Sequence, residues 1–480
     1  MECSLLHHGA AASSAAQAVT WIPSKSLATS KQEGGVKNDI LVYASHAIIN
    51  LVSPCTIVAA NSGNQNDDNV DTVWKSHATL RTQIDEGNSA LEITALCRAN
   101  HKRTNQTLGT TSLVTGFSNG AISVWTRQSQ SLTQDQQQQQ QQASESESEK
   151  WQECVLLPTT TTSKNENEID MPHRSITAVT ALWLNETTLA VITGSSDGAA
   201  YYVYECISDV DTDGNKANVA YKMVHQQSLF HHTAVKSVML QPYHYDQSLP
   251  SQDDTDTCRR TVILAFVGTA APRHNRIHVH YGIDKELHYA GPLTGHLDWI
   301  TCMDWWHGDG TDQSILATGS QDARIRLWRF TTTTTASFGT NPADDLQDPP
   351  LAQNTSDNET DDDDDNDMDQ QAAEEEEEAG EARLEITLLD DETKNDNTKV
   401  TVIRVTLEAL LLGHEEFVTH VSWHPWPQNT YQEKLLLISS SMDRSILLWT
   451  PSAEDGIWTP LTRGKFATAC LFLYPTALLS

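Results

Sequence analysis

The sequence lacks several features that would assign it to common protein classes. No apolar run approaches the roughly 20 residues that a membrane-spanning helix needs. The N-terminal stretch has no basic region followed by an apolar core, so we expect neither a signal peptide nor membrane association. No Walker A or G-x-G-x-x-G motif occurs, so nucleotide binding has no support, and we expect no cofactor and no small-molecule substrate.

Basic residues are also scarce. The 480 residues include 31 Lys and Arg against 64 Asp and Glu, which gives a formal net charge of −33. Such a surface repels nucleic acid as a whole, so any RNA contact would need a local basic patch. The eight cysteines are scattered without a C-x-x-C pair, which is typical of a reducing compartment. We therefore expect a soluble intracellular protein.

What the sequence does contain is a repeated unit. Residues 295–330 open with Gly-His and end in "LATGSQDARIRLWRF", and residues 413–450 open with Gly-His and end in "LLLISSSMDRSILLWT". In each copy an Asp precedes a Trp by six residues, namely Asp322 with Trp328 and Asp443 with Trp449. The short β-branched and aromatic runs between Gly, Asp and Ser indicate β-strands. Because the pattern recurs, it describes a structural unit.

Weaker copies of the unit occur earlier in the chain. "SLVTGFSNGAISVWT" (112–126) places Asn119 six residues before Trp125, and "LAVITGSSDGAAYYVYE" (189–205) places Tyr204 near the aromatic position. Sheets of about four strands at a period of about 40–45 residues predict an all-β WD-repeat β-propeller with four-stranded antiparallel blades. The predicted blades are six in number: 1–55, 71–126, 171–205, 221–282, 290–330 and 399–450.

Two long polar inserts interrupt the repeats. The segment 127–170 contains a polyglutamine run, and the segment 331–398 contains fifteen acidic residues between Asp357 and Glu381. Neither composition can build an apolar core, so we predict that both inserts are disordered. The acidic run either contacts a basic partner or is a solvated loop. The tail 459–480 diverges from the repeat pattern, and the propeller is therefore predicted to be incomplete.

Histidine, hydroxyl, tryptophan and aspartate side chains recur at equivalent places in the two strong copies. A buried tryptophan N–H needs an acceptor, and a hydroxyl can provide one. We therefore predict a buried hydrogen-bonded relay with a structural role, in which either of two hydroxyls per copy is the third member. Its candidate members are His296, Thr318, Ser320, Asp322, Trp328, His414, Ser439, Ser441, Asp443 and Trp449.

Two competing interpretations rest on the same kinds of residue. The strings "GFSNG" (116–120) and "GSSDG" (194–198) match G-x-S-x-G, but a nucleophile elbow needs a helix after the serine, and both strings continue as strands. We interpret them as hairpins and expect neither an enzyme nor catalytic residues. His278 and His280 lie on one predicted strand face, but no carboxylate or cysteine at ligand spacing accompanies them. We therefore expect no metal site.

The last two repeats contain motifs that are more specific than the general WD-repeat pattern. "SQD" at 320–322, "VTLEALLLGHE" at 405–415, "SSSMDRSILLW" at 439–449 and "GIW" at 456–458 resemble the WD-repeat subunit 2 family of the Elongator complex. These matches cover about a quarter of the chain, and the "SMD…LLW…GIW" order makes them specific. The resemblance implies two seven-bladed propellers, of which this chain would carry an incomplete first one. Asp does not follow Trp328 or Trp449, so the eponymous dipeptide is absent from both repeats.

The resemblance also implies a function. The family member is a non-catalytic scaffold in the cytoplasm and nucleus that supports tRNA wobble-uridine modification and is linked to transcription elongation. Its expected partners are the largest scaffold subunit and the catalytic subunit, with tRNA contacted only indirectly or weakly. Another WD-repeat adaptor, such as a ubiquitin-ligase substrate adaptor or a trafficking coat subunit, is the alternative.

Propellers commonly bind partners on the face that carries the Gly-His loops and hairpin turns, and exposed aromatic residues there are good anchors. Trp299 and Phe417 could instead only pack the tops of their blades. The predicted partner-binding residues are Trp299, Thr301, Gln321, Phe417, Thr419 and Met442.

Overall fold

A computed structural model shows an all-β chain. It describes residues 19–22, 40–45, 48–58, 70–82, 91–101, 112–127, 151–157, 175–210, 216–248, 257–270, 275–283, 285–307, 313–336, 383–388, 399–423, 435–452 and 454–465. Within these residues, no helix is long and apolar enough to cross a membrane.

The strands of the described residues form six sheets, which follow one another along the chain. Sheet one contains β1 (Val19–Ile22), β2 (Ile40–Ser45), β3 (Ile48–Val58) and β4 (Val70–Arg81). Sheet two contains β5 (Ile93–Arg98), β7 (Ser112–Phe117), β8 (Ile122–Arg127) and β9 (Trp151–Leu157). Sheet three contains β6 (Asn100–His101), β10 (Ile176–Trp183), β11 (Thr188–Ser195), β12 (Gly198–Val210) and β13 (Lys216–His231).

The second half of the chain builds the other three sheets. Sheet four contains β14 (Val235–Ser248), β15 (Thr257–Thr269), β16 (Ile277–Gly282) and β17 (His288–Leu293). Sheet five contains β18 (Ile300–His307), β19 (Gln313–Ser320), β20 (Arg324–Ala336), β21 (Arg383–Leu388) and β22 (Lys399–Leu412). Sheet six contains β23 (Val418–Trp423), β24 (Leu437–Ser441), β25 (Ser445–Pro451) and β26 (Trp458–Lys465).

Successive sheets pack against each other through their first strands. The contacts run in chain order from β1 to β5, β10, β14, β18 and β23. Each sheet alternates its apolar side chains between two faces, so that every inner sheet buries both faces against its neighbours. This is the β-propeller arrangement that the repeats predict, and the fold class is confirmed.

Two apolar layers hold the three C-terminal sheets together. Phe266 of sheet four packs with Trp305 and Phe330 of sheet five, and all three ring pairs have centroids within 5.8 Å. On the other face of sheet five, Leu327 packs in one apolar cluster with Trp449 of sheet six. Each buried side chain of this size contributes about 1.5–3 kcal/mol relative to an exposed one, so the layers between sheets position the loops above them.

The repeat in the sequence is offset from the sheet in space. The predicted blade 290–330 begins with β17, which pairs with β16 in sheet four. The predicted blade 399–450 begins with β22, which pairs with β20 in sheet five. One sequence unit thus supplies the outer strand of one sheet and the three inner strands of the next, which links neighbouring sheets covalently.

The predicted inserts and tail need correction where the structure places strands in them. Strand β9 lies within 127–170 and completes sheet two, because Trp151–Leu157 pairs with β8. Strand β21 lies within 331–398, where Ile386 and Leu388 are buried in the layer between sheets four and five. Strand β26 extends into the tail 459–480. The polyglutamine run and the acidic run lie outside the described residues.

Candidate functional site

The relay of sheet five is a continuous hydrogen-bonded chain. His296, in the loop after β17, places Nδ1 2.9 Å from Oδ2 of Asp322 and Nε2 2.9 Å from Oγ1 of Thr318. Trp328 Nε1 donates to the same Thr318 oxygen at 3.2 Å. The histidine, the threonine and the tryptophan are all buried. The chain of bonds therefore connects a loop, a hairpin and two strands of one sheet.

The structure separates the two hydroxyls that the sequence left as alternatives. Thr318 is the member that joins histidine to tryptophan, whereas Ser320 Oγ accepts the Asp322 backbone N–H at 3.1 Å and donates to the Asp298 carbonyl at 2.9 Å. The two hydroxyls are two residues apart on the same face of β19, but Ser320 lies at the strand end where the turn begins. Ser320 thus fixes the turn and is not a member of the relay chain.

Asp322 holds the hairpin turn and the histidine loop together. Its Oδ1 accepts the Arg324 backbone N–H at 2.9 Å, and its Oδ2 accepts the Leu297 backbone N–H at 3.0 Å. Between them, Ala323 has a φ of 61° in the left-handed region that favours glycine. A carboxylate that satisfies two backbone donors and one histidine stabilises this strained turn.

The protonation states of His296 and Asp322 follow from their burial and their hydrogen bonds. Desolvation lowers the pKa of His296, although the hydrogen bond to Asp322 acts in the opposite direction. Desolvation raises the pKa of Asp322, but the bonds from His296 and the two backbone N–H groups outweigh it and lower that pKa. The ring is therefore neutral, with Nδ1–H donating to the carboxylate and Nε2 accepting the Thr318 O–H.

Sheet six carries the same relay with one change. His414 Nε2 lies 2.7 Å from Ser439 Oγ, which accepts Trp449 Nε1–H at 2.8 Å. Its Nδ1 lies 2.9 Å from Ser445 Oγ, whereas the nearest Asp443 oxygen is 3.5 Å away. The sequence did not point to Ser445, because the equivalent position in sheet five is an arginine that takes no part in the relay.

The remaining contacts of this hairpin repeat those of sheet five. Asp443 accepts the Glu415 backbone N–H at 2.9 Å and the Ser445 backbone N–H at 2.7 Å, and Ser441 Oγ accepts the Asp443 N–H and donates to the Glu416 carbonyl. Desolvation raises the pKa of Asp443, but these hydrogen bonds and that of the Ser445 hydroxyl lower it to about 2. Ser441 therefore corresponds to Ser320, and Ser439 to Thr318.

The weaker repeats keep part of the arrangement. Trp125 Nε1 donates to Thr115 Oγ1 at 3.2 Å in sheet two. In sheet three the equivalent ring belongs to Tyr202, not to Tyr204, because Tyr202 pairs with Val191 as Trp125 pairs with Leu113. The hairpin between Ser195 and Gly198 is one residue shorter than its counterparts. The aromatic residue therefore comes one residue earlier after the turn.

Both G-x-S-x-G strings are hairpin turns. Residues 116–120 connect β7 to β8, and residues 194–198 connect β11 to β12, so that a strand follows each serine. Asn119 Oδ1 accepts the Ala121 backbone N–H at 3.1 Å, which is the turn role that Asp322 has in sheet five.

The predicted partner-binding residues lie on the face of the hairpin turns, in two kinds of environment. Phe417 and Met442 are exposed and adjacent, since the Met442 N–H donates to the Phe417 carbonyl at 2.9 Å. Trp299 and Gln321 form the same pair in sheet five with both side chains partly buried. Leu297, which the sequence did not single out, is also exposed beside them. We call these side chains at the hairpin turns of sheets five and six the turn face.

The two threonines are engaged inside the structure. Thr301 Oγ1 donates toward the carbonyls of Gly319 at 3.0 Å and Val418 at 2.6 Å, so it joins sheet five to sheet six. Thr419 Oγ1 lies 3.1 Å from the Ser440 carbonyl and 2.9 Å from its hydroxyl. Both side chains are partly buried. Their hydroxyls stabilise the first strands and present little to a partner.

The histidines of sheet four pack with aromatic side chains. His278 Nδ1 lies 3.1 Å from the Tyr289 hydroxyl, and the His278 ring lies 4.0 Å from that of Phe230. Desolvation lowers the pKa of both His278 and His280 to about 4. Across the described ranges, no three His, Cys, Asp or Glu side chains form a group that could hold a metal ion.

Comparisons with known proteins agree with this geometry. The family model "WD domain, G-beta repeat" matches residues 288–329 and 405–450, which contain the two complete relays. Mouse Elongator complex protein 2 is 30% identical over 190 residues, which are 39% of this chain and 18% of the mouse protein. The Drosophila melanogaster protein of the same name is 32% identical over 171 residues, covering 35% of this chain and 16% of the relative.

The same name recurs in distant organisms, as Elongator complex protein 2 of Saccharomyces cerevisiae is 25% identical over 178 residues, covering 37% of this chain and 16% of the yeast protein. Over about two fifths of its length, the chain is thus similar to Elongator complex protein 2 of mouse, fly and yeast. The matched region spans less than one fifth of these relatives' own length.

Solved structures with a similar trace include Sqt1 of Chaetomium thermophilum bound to the N-terminus of a ribosomal protein. Its identity is 14%, its TM-score is 0.39, and the match covers 89% of this chain and 72% of that chain.

Proposed function

We propose that this chain is a non-catalytic scaffold subunit of the Elongator complex. The observation that supports this proposal is the similarity to Elongator complex protein 2 of mouse, fly and yeast. A propeller built from repeated sheets is a binding scaffold in many proteins, and the fold alone does not define its partner. In this proposal the chain supports tRNA wobble-uridine modification, and the role of the complex linked to transcription elongation, through protein contacts in the cytoplasm and nucleus.

The polar chemistry of the relays supports a scaffold and not an enzyme. The side chains of His296 and Asp322 are 1% and 3% exposed, and their hydrogen-bonding groups are engaged by the protein itself. A general base must reach a proton of its substrate, and both side chains are almost completely buried. Two sheets repeat the arrangement, as expected for a structural unit.

The turn face is the proposed surface for the largest Elongator subunit. Phe417 and Met442 present exposed apolar side chains next to each other, and Trp299 lies at the equivalent place in sheet five. Exposed aromatic and methionine side chains are enriched at the centres of interfaces. The net charge of the chain is negative and therefore disfavours direct contact with tRNA. In this proposal the chain binds the largest subunit tightly and contacts tRNA only indirectly.

The test is affinity purification of the tagged chain from its own cells with identification of the bound proteins. We expect the largest scaffold subunit and the catalytic subunit of Elongator, and about tenfold less of the largest subunit with the Trp299→Ala/Phe417→Ala variant. Ile457→Ala, which alters an exposed side chain outside the turn face, is the matched control. Recovery of a ubiquitin ligase or a coat complex in place of Elongator would overturn the proposal.

A further inference from the structure

Two cysteines meet where the outer strands of sheets two and three lie side by side. Strand β9 is the outer strand of sheet two, β13 is the outer strand of sheet three, and the two strands are in contact. Cys154 of β9 and Cys206 of β12 both pack against the apolar cluster between these sheets. Both side chains are thiols, and both are partly buried. The two thiols therefore enter one interface from opposite sides.

Tyr221 of β13 contacts both thiols. It is the cross-strand partner of Cys206, and its side chain forms a hydrogen bond with that of Cys206. The Tyr221 backbone N–H donates to the Cys154 thiol. Residues directly opposite each other in an antiparallel pair have Cα atoms about 4.5–5.5 Å apart. The Cys154 sulfur thus lies beside the residue that is directly opposite Cys206.

The ionisation of these groups is coupled. Burial raises the pKa of Cys154, the Tyr221 N–H lowers it, and the neighbouring Cys206 raises it further. Burial also raises the pKa of Tyr221, and both cysteines add to that increase. Because Coulomb interactions weaken with distance, this mutual influence agrees with the hydrogen bonds in placing the two thiols close together.

The strands that carry this contact can adjust their positions. A disulfide needs Cα atoms about 4.4–6.8 Å apart. Among the described residues, β9 pairs only with β8, and β13 pairs only with β12. A strand that is held on one side moves more easily than an inner strand. The outer strands of the two sheets can therefore approach each other as bond formation requires.

Cys97 provides a contrast within the same cluster. It packs against the same apolar residues, but it lies on β5, the first strand of sheet two. Its thiol accepts hydrogen bonds from the backbone of Val114 and Ala181, and burial raises its pKa to about 12. Because the thiol faces inner strands of sheets two and three, Cys97 is the matched control for the two cysteines at the rim.

We propose that Cys154 and Cys206 form a reversible disulfide that joins sheet two to sheet three when the chain meets a low-molecular-weight disulfide such as glutathione disulfide. The Cys154 thiolate attacks one sulfur of the oxidant, and the departing thiolate takes up a proton. The Cys206 thiolate then attacks the Cys154 sulfur of the mixed disulfide and displaces the second thiol. Two protein thiols are thereby oxidised to one disulfide, and the oxidant is reduced to two thiols.

The bond would clamp the rims of two sheets that apolar packing otherwise holds together. A cross-link between distant points of the chain stabilises the folded state mainly by restricting the unfolded one. The clamp would also hold β9 in place from a second side. This inference concerns groups within the chain alone, so it stands or falls independently of the proposed scaffold function.

The first experiment exposes the purified full chain to glutathione disulfide, blocks the remaining thiols by alkylation, and maps the peptides by mass spectrometry. We expect a linked pair of peptides that contain Cys154 and Cys206, and we expect dithiothreitol to separate them. Formation should be faster at higher pH, because the thiolate is the attacking species. Absence of this linked pair, or a bond from Cys154 to any other cysteine, would overturn the proposal.

The second experiment measures the clamp by hydrogen exchange in the oxidised and the reduced chain. We expect the amides of Trp151–Leu157 to exchange at least about tenfold more slowly after oxidation. Cys154→Ser and Cys206→Ser should each abolish this difference, whereas Cys97→Ser should retain both the linked peptides and the protection. Equal exchange of β9 in the oxidised and reduced wild-type chain would show that the bond does not join the sheets. The wild-type comparison decides this even where a serine variant folds poorly.

Discussion

Asp304, on β18 of sheet five, accepts the backbone N–H of Trp423, on β23 of sheet six, at 2.7 Å. Its other oxygen accepts the N–H of Trp305 at 2.9 Å, and its backbone carbonyl accepts Trp423 Nε1–H at 3.2 Å. Together with Thr301, Asp304 ties the first strands of the two sheets that carry complete relays.

Replacing Asp304 should loosen the junction between sheets five and six. We expect Asp304→Ala to lower the free energy of unfolding by about 1–3 kcal/mol, because it leaves the buried Trp423 N–H without its acceptor. Hydrogen exchange at the Trp423 amide should rise in parallel. Asp298→Ala is the matched control, since Asp298 caps the next residue in the same way without reaching another sheet. Unchanged exchange at Trp423 would contradict the assigned role.

The relay should depend on Thr318 more than on a surface hydroxyl of the same sheet. Thr318→Val keeps the shape but leaves Trp328 Nε1 and His296 Nε2 without a partner. We expect a loss of about 2–4 kcal/mol, because two buried polar groups become unsatisfied. Thr333→Val, at an exposed position of β20, should change stability by less than about 0.5 kcal/mol. Urea unfolding of both variants measures the difference, and equal midpoints would refute the structural relay.

Glycine and valine at the left-handed position of a hairpin turn should shift the stability of the protein in opposite directions. Ala323 and Arg444 have φ values of 61° and 63°, which non-glycine residues rarely adopt. Ala323→Gly should relieve about 1 kcal/mol of strain, partly offset by the entropy that glycine adds to the unfolded chain. Ala323→Val should destabilise the protein by about 1–2 kcal/mol, because a β-branched residue tolerates this region poorly. Thermal unfolding of the pair should show the two shifts with opposite signs.

Stability should fall as the pH is lowered from about 6.5 toward 4. Burial lowers the pKa values of His278, His280 and His420 to about 4, so in this window the unfolded chain binds protons that the folded chain does not. Asp304 acts in the opposite direction, because burial raises its pKa to about 6, and its contribution is lost as the pH rises through that value. Three histidines oppose this one aspartate, so the net effect of lowering the pH is a loss of stability.

The measurement is the urea midpoint between pH 7 and pH 4.5. His280→Phe should flatten the curve, because it removes one titrating group and a buried Nδ1 that has no partner among the described residues. His288→Phe, at an exposed position of the same sheet, is the matched control for the introduced ring. A midpoint that rises on acidification would show that the assigned sign is wrong.

Local pattern in the sequence was sufficient for the fold class and for most members of the relays. The six-residue spacing from Asp322 to Trp328 and from Asp443 to Trp449 defines a hairpin and a returning strand, because a turn of fixed length sets which side chains face each other. The same logic failed for Tyr204, since a turn shorter by one residue brings Tyr202 to the aromatic position. Alternation within "RLEITL" was the missed signal of β21 in a polar insert.

The sequence by itself determined that the chain repeats a β-sheet unit, which polar residues each unit buries, and which family the last two units resemble. Those properties depend on side-chain type at fixed spacing along one chain. Only the tertiary structure decided that Thr318 and Ser439 complete the relays, that Ser445 intervenes between His414 and Asp443, and that Asp304 ties sheet five to sheet six. Those relationships depend on which strands become neighbours, and packing between sheets distant in sequence sets that choice.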